Sequence, residues 1–273
     1  QRGLFEVGPV RVLSGDLFVF RVSRSEMNYQ HTVVVYPKIV PVKNLNVLAA
    51  RPVGDFKTDR RITEDALRLA GARDYQTGDN PRYIHWKATA RRSSLQTKTF
   101  DPSASQQIML LLNCQTLERY YEGHVSDFLE TAIVVAASVA NEALLERRSI
   151  GLAANSPLRG STQWIHIAAS RHAAQPLQLL EALAQIDILP SLPFEDLIRL
   201  ETARLPYGMT LLAISSIATD PILAALLDLR SAGHPVGLIS IGRAPIRSIP
   251  PQIPYSVVTE NWTDMTSIDL SHV

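Results

Sequence analysis

Hydrophobic and polar positions change rhythm twice along this chain. From Leu4 to Leu13, Leu17 to Val22 and His31 to Tyr36, apolar residues come in short, partly alternating runs. Ser14-Gly15-Asp16 and Ser23-Arg24-Ser25 supply turn chemistry between them. Pro37 and Pro41 end the third run, because proline cannot donate to a strand ladder. The pattern predicts a small all-β unit, of the sandwich or open-barrel type, over residues 1–60. Residues 49–70 are polar and read as a connector. In the stretch 61–102, Asn80 is a good helix cap and Pro81 a good first helical residue, which predicts a helix from about Pro81 to Arg92. That helix would carry Arg82, Trp86 and Ala90 on one stripe. Ser94 to Phe100 then alternates as a strand.

From Gln107 onward, strands and helices take turns. Ile108 to Leu112 is apolar throughout, as at the centre of a parallel sheet. A long helix capped by Ser126 runs to about Arg148, followed by strands Ser149–Ala154 and Gln163–Ala168. Helices Arg171–Ile186 and Phe194–Ala203 come next, then strand Met209–Ser215, a helix opening at Thr219-Asp220-Pro221 and ending before Gly233, and strands Val236–Ile241 and Pro254–Val258. This alternation predicts an α/β domain over residues 103–273, with a doubly wound, mostly parallel sheet.

Composition adds three constraints. A hydrophobic share of 46% is enough to build a core of ordinary size. No apolar run approaches the roughly 20 residues of a bilayer span. The nearest, Ala132 to Ala140, suits a helix buried on most sides. The opening Gln1-Arg2-Gly3-Leu4-Phe5 has the character of neither an initiator segment nor a signal peptide, so the chain reads as an excised soluble piece of something longer. Charge is divided unevenly. Residues 1–102 carry 17 Lys and Arg against 10 Asp and Glu, whereas residues 103–273 carry 10 against 16 and no lysine. Two surfaces that attract one another would explain the split, and so would a basic region beside anionic lipid or an acidic partner.

Candidate chemistry is sparse. Ligands of doubly wound sheets sit at the carboxyl ends of strands, which directs attention to Asn113-Cys114-Gln115-Thr116-Leu117. The chain has no glycine-rich phosphate loop and no Walker-type lysine. Cys114, the one cysteine, lacks a base beside it in sequence and reads as a small core filler. The histidines are scattered without metal-ligand spacing. His166 alternates within an apolar strand and reads as structural, and His85 alone sits among other functional residue types. Those types crowd one stretch: Arg82, Lys87, Arg91 and Arg92 lie beside Trp86, with Asp79 the only acid between Gly78 and Phe100. They could form a structural clasp, with arginines paired to internal carboxylates and Trp86 filling a gap between the β unit and the larger domain. They could equally form an anion-binding or hydrolytic site around Asp79, Arg82, His85 and Arg91. Near-neutral overall charge, and cations spread around the helix, argue against nucleic acid.

The same stretch resembles the signature of the bacterial domain of unknown function 58 family. That signature has the form Arg-x-Tyr-x-x-Gly-Asp-x-x-Arg-x-Ile-x-Trp-x-x-Thr-Ala-Arg, met here by Arg73, Tyr75, Gly78, Asp79, Arg82, Ile84, Trp86, Thr89, Ala90 and Arg91. Arg2-Gly3, Gly8-Pro9 and Asp16-Leu17-Phe18 also resemble the family's opening pattern, with Leu17 in place of a usual proline. The resemblance implies a von Willebrand factor A-like C-terminal domain and membrane-spanning helices ahead of this segment, on the cytoplasmic face of the bacterial inner membrane. It implies as partners a MoxR-type AAA+ ATPase and von Willebrand factor A proteins, in protein maturation or the assembly of membrane-associated complexes. Domains of that type often hold a divalent metal through Asp-x-Ser-x-Ser, which would make a metal-dependent adhesion module. Here Asn113, Gln115 and Leu117 stand at those places, and no Thr-Asp-Gly follows Ser215. The expectation is therefore a non-enzymatic adaptor without metal or other cofactor.

Overall fold

The computed structural model describes residues 2–16, 20, 22–45, 69–75, 84–100, 107–158, 161–206, 209–242 and 249–271. Gly8, at φ 129°, splits the first apolar run into β1 (Gly3–Val7) and β2 (Val10–Gly15). A Cβ at Gly8 would collide with the carbonyl oxygen of Tyr29, so a side chain does not fit there. Ser23-Arg24-Ser25, expected as a turn, instead lies inside β3 (Val22–Met27), which pairs antiparallel with β2. Every residue of both strands is exposed, so polar side chains do not count against the ladder. β4 (His31–Val35) pairs antiparallel with β1.

The chain then enters the main core. Val40, Val42 and Leu45 are buried in the same hydrophobic cluster as the helices of the larger sheet. β5 (Val42–Lys43) finds its partner at the far end of the sequence, in a strand at Ile268–Asp269. Residues 46–68, most of the expected connector, lie outside the described residues.

The signature region is a β–α–β unit. β6 (Leu69–Asp74) falls partly where a connector was expected, and pairs antiparallel with β7 (Gln96–Phe100). Between them α1 spans only Trp86–Arg92. The expected start at Pro81 is displaced at least as far as Trp86. Ile84 forms a bridge with Thr97, and the His85 N–H donates to the Gln96 carbonyl, so both residues are held to β7 rather than in a helix. His85 takes over the cap, its Nδ1 accepting from the Ala88 N–H at 3.1 Å. Asn80 and Pro81 lie outside the described residues.

The remaining elements build the α/β layer. They are β8 (Gln107–Leu112), α2 (Ser126–Leu145), β9 (Ser149–Pro157), β10 (Trp164–Ser170), α3 (Gln175–Gln185), α4 (Phe194–Thr202), β11 (Thr210–Ser215), α5 (Asp220–Ser231), β12 (Val236–Ile241), β13 (Tyr255–Val258) and β14 (Ile268–Asp269). Six strands form one sheet in the order β10-β9-β8-β11-β12-β13. Numbered within the sheet this is the doubly wound order 3-2-1-4-5-6. All neighbours run parallel except β10, which is antiparallel to β9. The chain between Pro157 and Trp164 is too short for the dozen or so residues that a parallel crossover needs.

Helices cover both faces. Along β8, Ile108, Leu110 and Leu112 face α2 and α3, while Met109 and Leu111 face α4 and α5. That two-sided burial is why the strand is apolar at successive positions. α2 is apolar and long enough to cross a membrane, but most of it is buried inside the molecule against the sheet. It begins one residue after its cap, Val125, and ends at Leu145, just before Arg147 turns left-handed at φ 59°.

Candidate functional site

In a sheet of this order, the strand sequence reverses direction between β8 and β11, and their carboxyl ends open the crevice where ligands bind. Asn113 follows β8, and Ser215 ends β11. The Asn113 Nδ2 donates to Ser215 Oγ at 2.9 Å, and the Ser215 hydroxyl donates to the Ile217 carbonyl at 2.7 Å. Asn113 Oδ1 accepts twice, from the Gln115 backbone N–H and from Asn155 Nδ2, each at 3.0 Å. Asn155 completes the set: its Oδ1 accepts from the Cys114 N–H at 2.7 Å, and its Nδ2 also donates to the Leu192 carbonyl. Gln115 turns its amide onto the Leu117 and Glu118 carbonyls.

Asn113, Asn155 and Ser215 are buried, and their polar groups are spent on one another or on backbone. A hard divalent cation prefers charged carboxylate oxygens with free lone pairs. At these positions it would meet neutral amides, with the Asn113 and Asn155 oxygens already accepting hydrogen bonds, and Leu117, which offers no side-chain oxygen. Among the described residues, no group of three or more His, Cys, Asp or Glu could hold a metal.

Cys114 is fully buried beneath this network, and burial pushes its thiol up to about 12. Arg2 and a hydrogen bond from Ser156 oppose that shift without cancelling it. The nucleophilic thiolate is therefore scarce at neutral pH. Iodoacetamide at pH 8 is expected to alkylate Cys114 only in denaturant. Modification of the native protein at the rate of a free thiol would contradict this burial.

The signature divides into an inward and an outward set. Ile84 is buried on β7, and Thr89 Oγ1 accepts from the Gln96 N–H at 3.0 Å. Gln96 is itself fully buried and donates from Nε2 to Asp74 and to Ser94. Arg73 lies in β6, and Tyr75 follows it, its N–H bonded to the Leu95 carbonyl. Trp86 points away from all of this at 67% exposure, so it does not fill a gap between layers. Ala90 and Arg91 are exposed as well. Gly78, Asp79 and Arg82 lie outside the described residues. His85, Lys87, Ala88, Arg91 and Arg92, with Ala72 from β6, line a cavity of about 350 Å³.

A third polar cluster escapes the sequence pattern. Glu201, fully buried near the end of α4, receives the Trp164 indole N–H at 3.1 Å and lies 2.7 Å from His166 Nδ1. The histidine expected to be structural thus has a carboxylate partner. The signal in the sequence is weak, since Glu201 sits at the end of an otherwise amphipathic helix. Asn155 was equally hidden, a lone amide following the apolar run of β9.

Comparison with known proteins places these features. The family model "Protein of unknown function DUF58" matches residues 71–186. The uncharacterized protein YeaD of Bacillus subtilis (strain 168) is 38% identical over 164 residues, 56% of this chain. The chain spans only 36% of that relative's length. Among solved structures, the pilus adhesin SpaC from Lactobacillus rhamnosus GG is similar over 60% of this chain and 29% of its own, at 11% identity and a TM-score of 0.43. The SpRpn10 VWA domain is similar over 62% of this chain and 90% of its own, at 14% identity and a TM-score of 0.39. Strand order and layering by themselves give the doubly wound α/β fold that the family resemblance implies, with a small strand-rich N-terminal region. The resemblance read from the signature is thus shown: over residues 71–186 this chain matches the DUF58 family, from the strand that opens the signature to the end of α3.

Proposed function

We propose that this protein is a non-enzymatic adaptor whose α/β domain binds other proteins. The observation that carries this reading is the closed switch-point crevice. Asn113, Asn155 and Ser215 fill with mutual hydrogen bonds the place where such a sheet would take a substrate or a metal. A crevice spent on internal bonds leaves the outer surface for recognition. The finer role rests on family resemblance: action with a MoxR-type AAA+ ATPase, beside von Willebrand factor A proteins, at the cytoplasmic face of the bacterial inner membrane. The basic first third of the chain is compatible with a position near anionic lipid.

Purified chain mixed with the MoxR-type ATPase of the same genome is expected to comigrate on size exclusion in the presence of ATP. Separate elution at both low and moderate salt would overturn the partnership. The metal-dependent adhesion reading gives a different result. A cation held at about a hundred times its Kd would stabilise the fold by about 2.7 kcal/mol. Millimolar MgCl₂ or CaCl₂ is expected to leave the melting temperature unchanged, and a rise of several degrees would restore that reading.

A further inference from the structure

The cavity beside α1 is lined by side chains that the adaptor reading does not use. Lys87 and Arg91 stand one turn apart on the helix, and Arg92 stands one turn from Ala88, whose small side chain leaves the floor open. Ala72 from β6 gives an equally small wall. His85 adds a donor. Because its Nδ1 accepts the Ala88 N–H, the proton of the neutral ring sits on Nε2, the nitrogen that does not cap the helix.

Several arginines of the molecule are neutralised by a neighbouring carboxylate. Arg2, Arg11, Arg119, Arg148, Arg199 and Arg204 each have a carboxylate within ion-pair distance. Among the described residues Lys87, Arg91 and Arg92 have none, as is also true of Arg24, Arg147, Arg171 and Arg230, but these three line one cavity. The nearby Asp74 is engaged by the Gln96 amide instead. Helix-end electrostatics account for part of the arrangement, since Arg91 and Arg92 lie in the last turn, where positive charge is favoured. They do not account for Lys87 in the first turn, nor for the convergence of four nitrogen-bearing side chains on one cavity.

We propose that this cavity binds a phosphoryl anion. Guanidinium forks match phosphate oxygens in bidentate fashion, and lysine adds a point charge. A volume of about 350 Å³ would hold a phosphate ester rather than a large cofactor. The phosphoryl group can come from a soluble ester or from a lipid headgroup. Trp86, exposed on the same short helix, is the kind of side chain that settles at a membrane interface.

The test titrates the full chain with glycerol 3-phosphate, and separately with vesicles of phosphatidylglycerol in phosphatidylcholine. Lys87→Gln and Arg91→Gln are expected to weaken binding about tenfold each, the effect of losing one charge-assisted hydrogen bond. Both side chains are exposed, so the variants are expected to keep the wild-type melting temperature. Arg24→Gln removes the same charge from β3 and is expected to leave binding intact. Response to the soluble ester alone assigns a small-molecule ligand, and response to the vesicles, with or without the ester, assigns a lipid headgroup. Binding of neither, or equal losses in Arg24→Gln and Arg91→Gln, would overturn the site. Neither result touches association with the ATPase, so the two readings stand or fall separately.

Discussion

Replacing Arg2 by alanine is expected to destabilise the protein by about 3 kcal/mol, the cost of breaking a buried charge pair from one side. The Arg2 side chain is only 5% exposed. Its Nη1 donates to the carbonyls of Leu183, Ala184 and Ile186 at 2.5, 3.3 and 3.3 Å. These belong to the end of α3, where carbonyls lack helical partners and a cation complements the helix dipole. Nε lies 3.3 Å from Glu130 Oε2 on α2, a charge contact without the alignment of a hydrogen bond. One guanidinium therefore closes one helix and neutralises a carboxylate on another. Burial pulls its pKa below the ordinary arginine value and Glu130 opposes that pull, so the pair holds the charge in place. Alanine would leave Glu130 facing a void, with three carbonyls unpaired. The melting temperature is expected to fall by on the order of 8 °C. The double variant Arg2→Met, Glu130→Leu should lose less than Arg2→Ala, because it removes both charges. A melting temperature for Arg2→Ala within a degree of wild type would refute the account.

Asn155→Leu should cost about as much, by a different route. Leucine is close in size, so the loss is of hydrogen bonds rather than volume. The Cys114 N–H, the Leu192 carbonyl and one acceptance by Asn113 Oδ1 would all be left inside the protein without this partner. Each such group costs about 1–3 kcal/mol when unpaired and dry, and partial relaxation brings the sum to about 3 kcal/mol. Urea unfolding would measure it as a lower midpoint at unchanged slope. Asn155→Asp is a sharper comparison. A carboxylate can still accept from Cys114 but cannot donate to Asn113 or Leu192, so it should fall between wild type and leucine when protonated, and below both when ionised. Equal stability of all three proteins would mean that the network carries no energy.

Much of the larger domain is legible in the amino-acid sequence. Its strands are buried on two faces, which turns them into unbroken apolar runs such as Ile108–Leu112, and its helices carry ordinary amphipathic spacing. What stayed hidden depends on neighbours. Leu69–Asp74 has no strand period, and becomes β6 because β7 lies beside it. Pro81 is a sound local helix start, yet Ile84 and His85 are drawn to β7, so tertiary pairing overrides local preference. The direction of β10 follows from the length of one connection, which becomes clear only once the strand ends are known. The signature was readable as a family mark but not as two sets of residues. The sorting of Ile84 and Thr89 inward, and of Trp86 and Arg91 outward, is decided by where β7 runs.

The short β5–β14 ladder has a kinetic meaning. It is reinforced by Asn44 Nδ2 on Asp269 at 2.7 Å, and by Lys38 Nζ on the Met265 carbonyl at 2.7 Å, contacts that join residues more than two hundred apart. Closing so long a loop is entropically costly, and such contacts form late. During synthesis, Val40, Val42 and Leu45 emerge well before Ile268–Asp269, the strand that pairs with their own. The segment from Val40 to Leu45 therefore stays open to nascent-chain chaperones until Ile268–Asp269 arrives to pair with it.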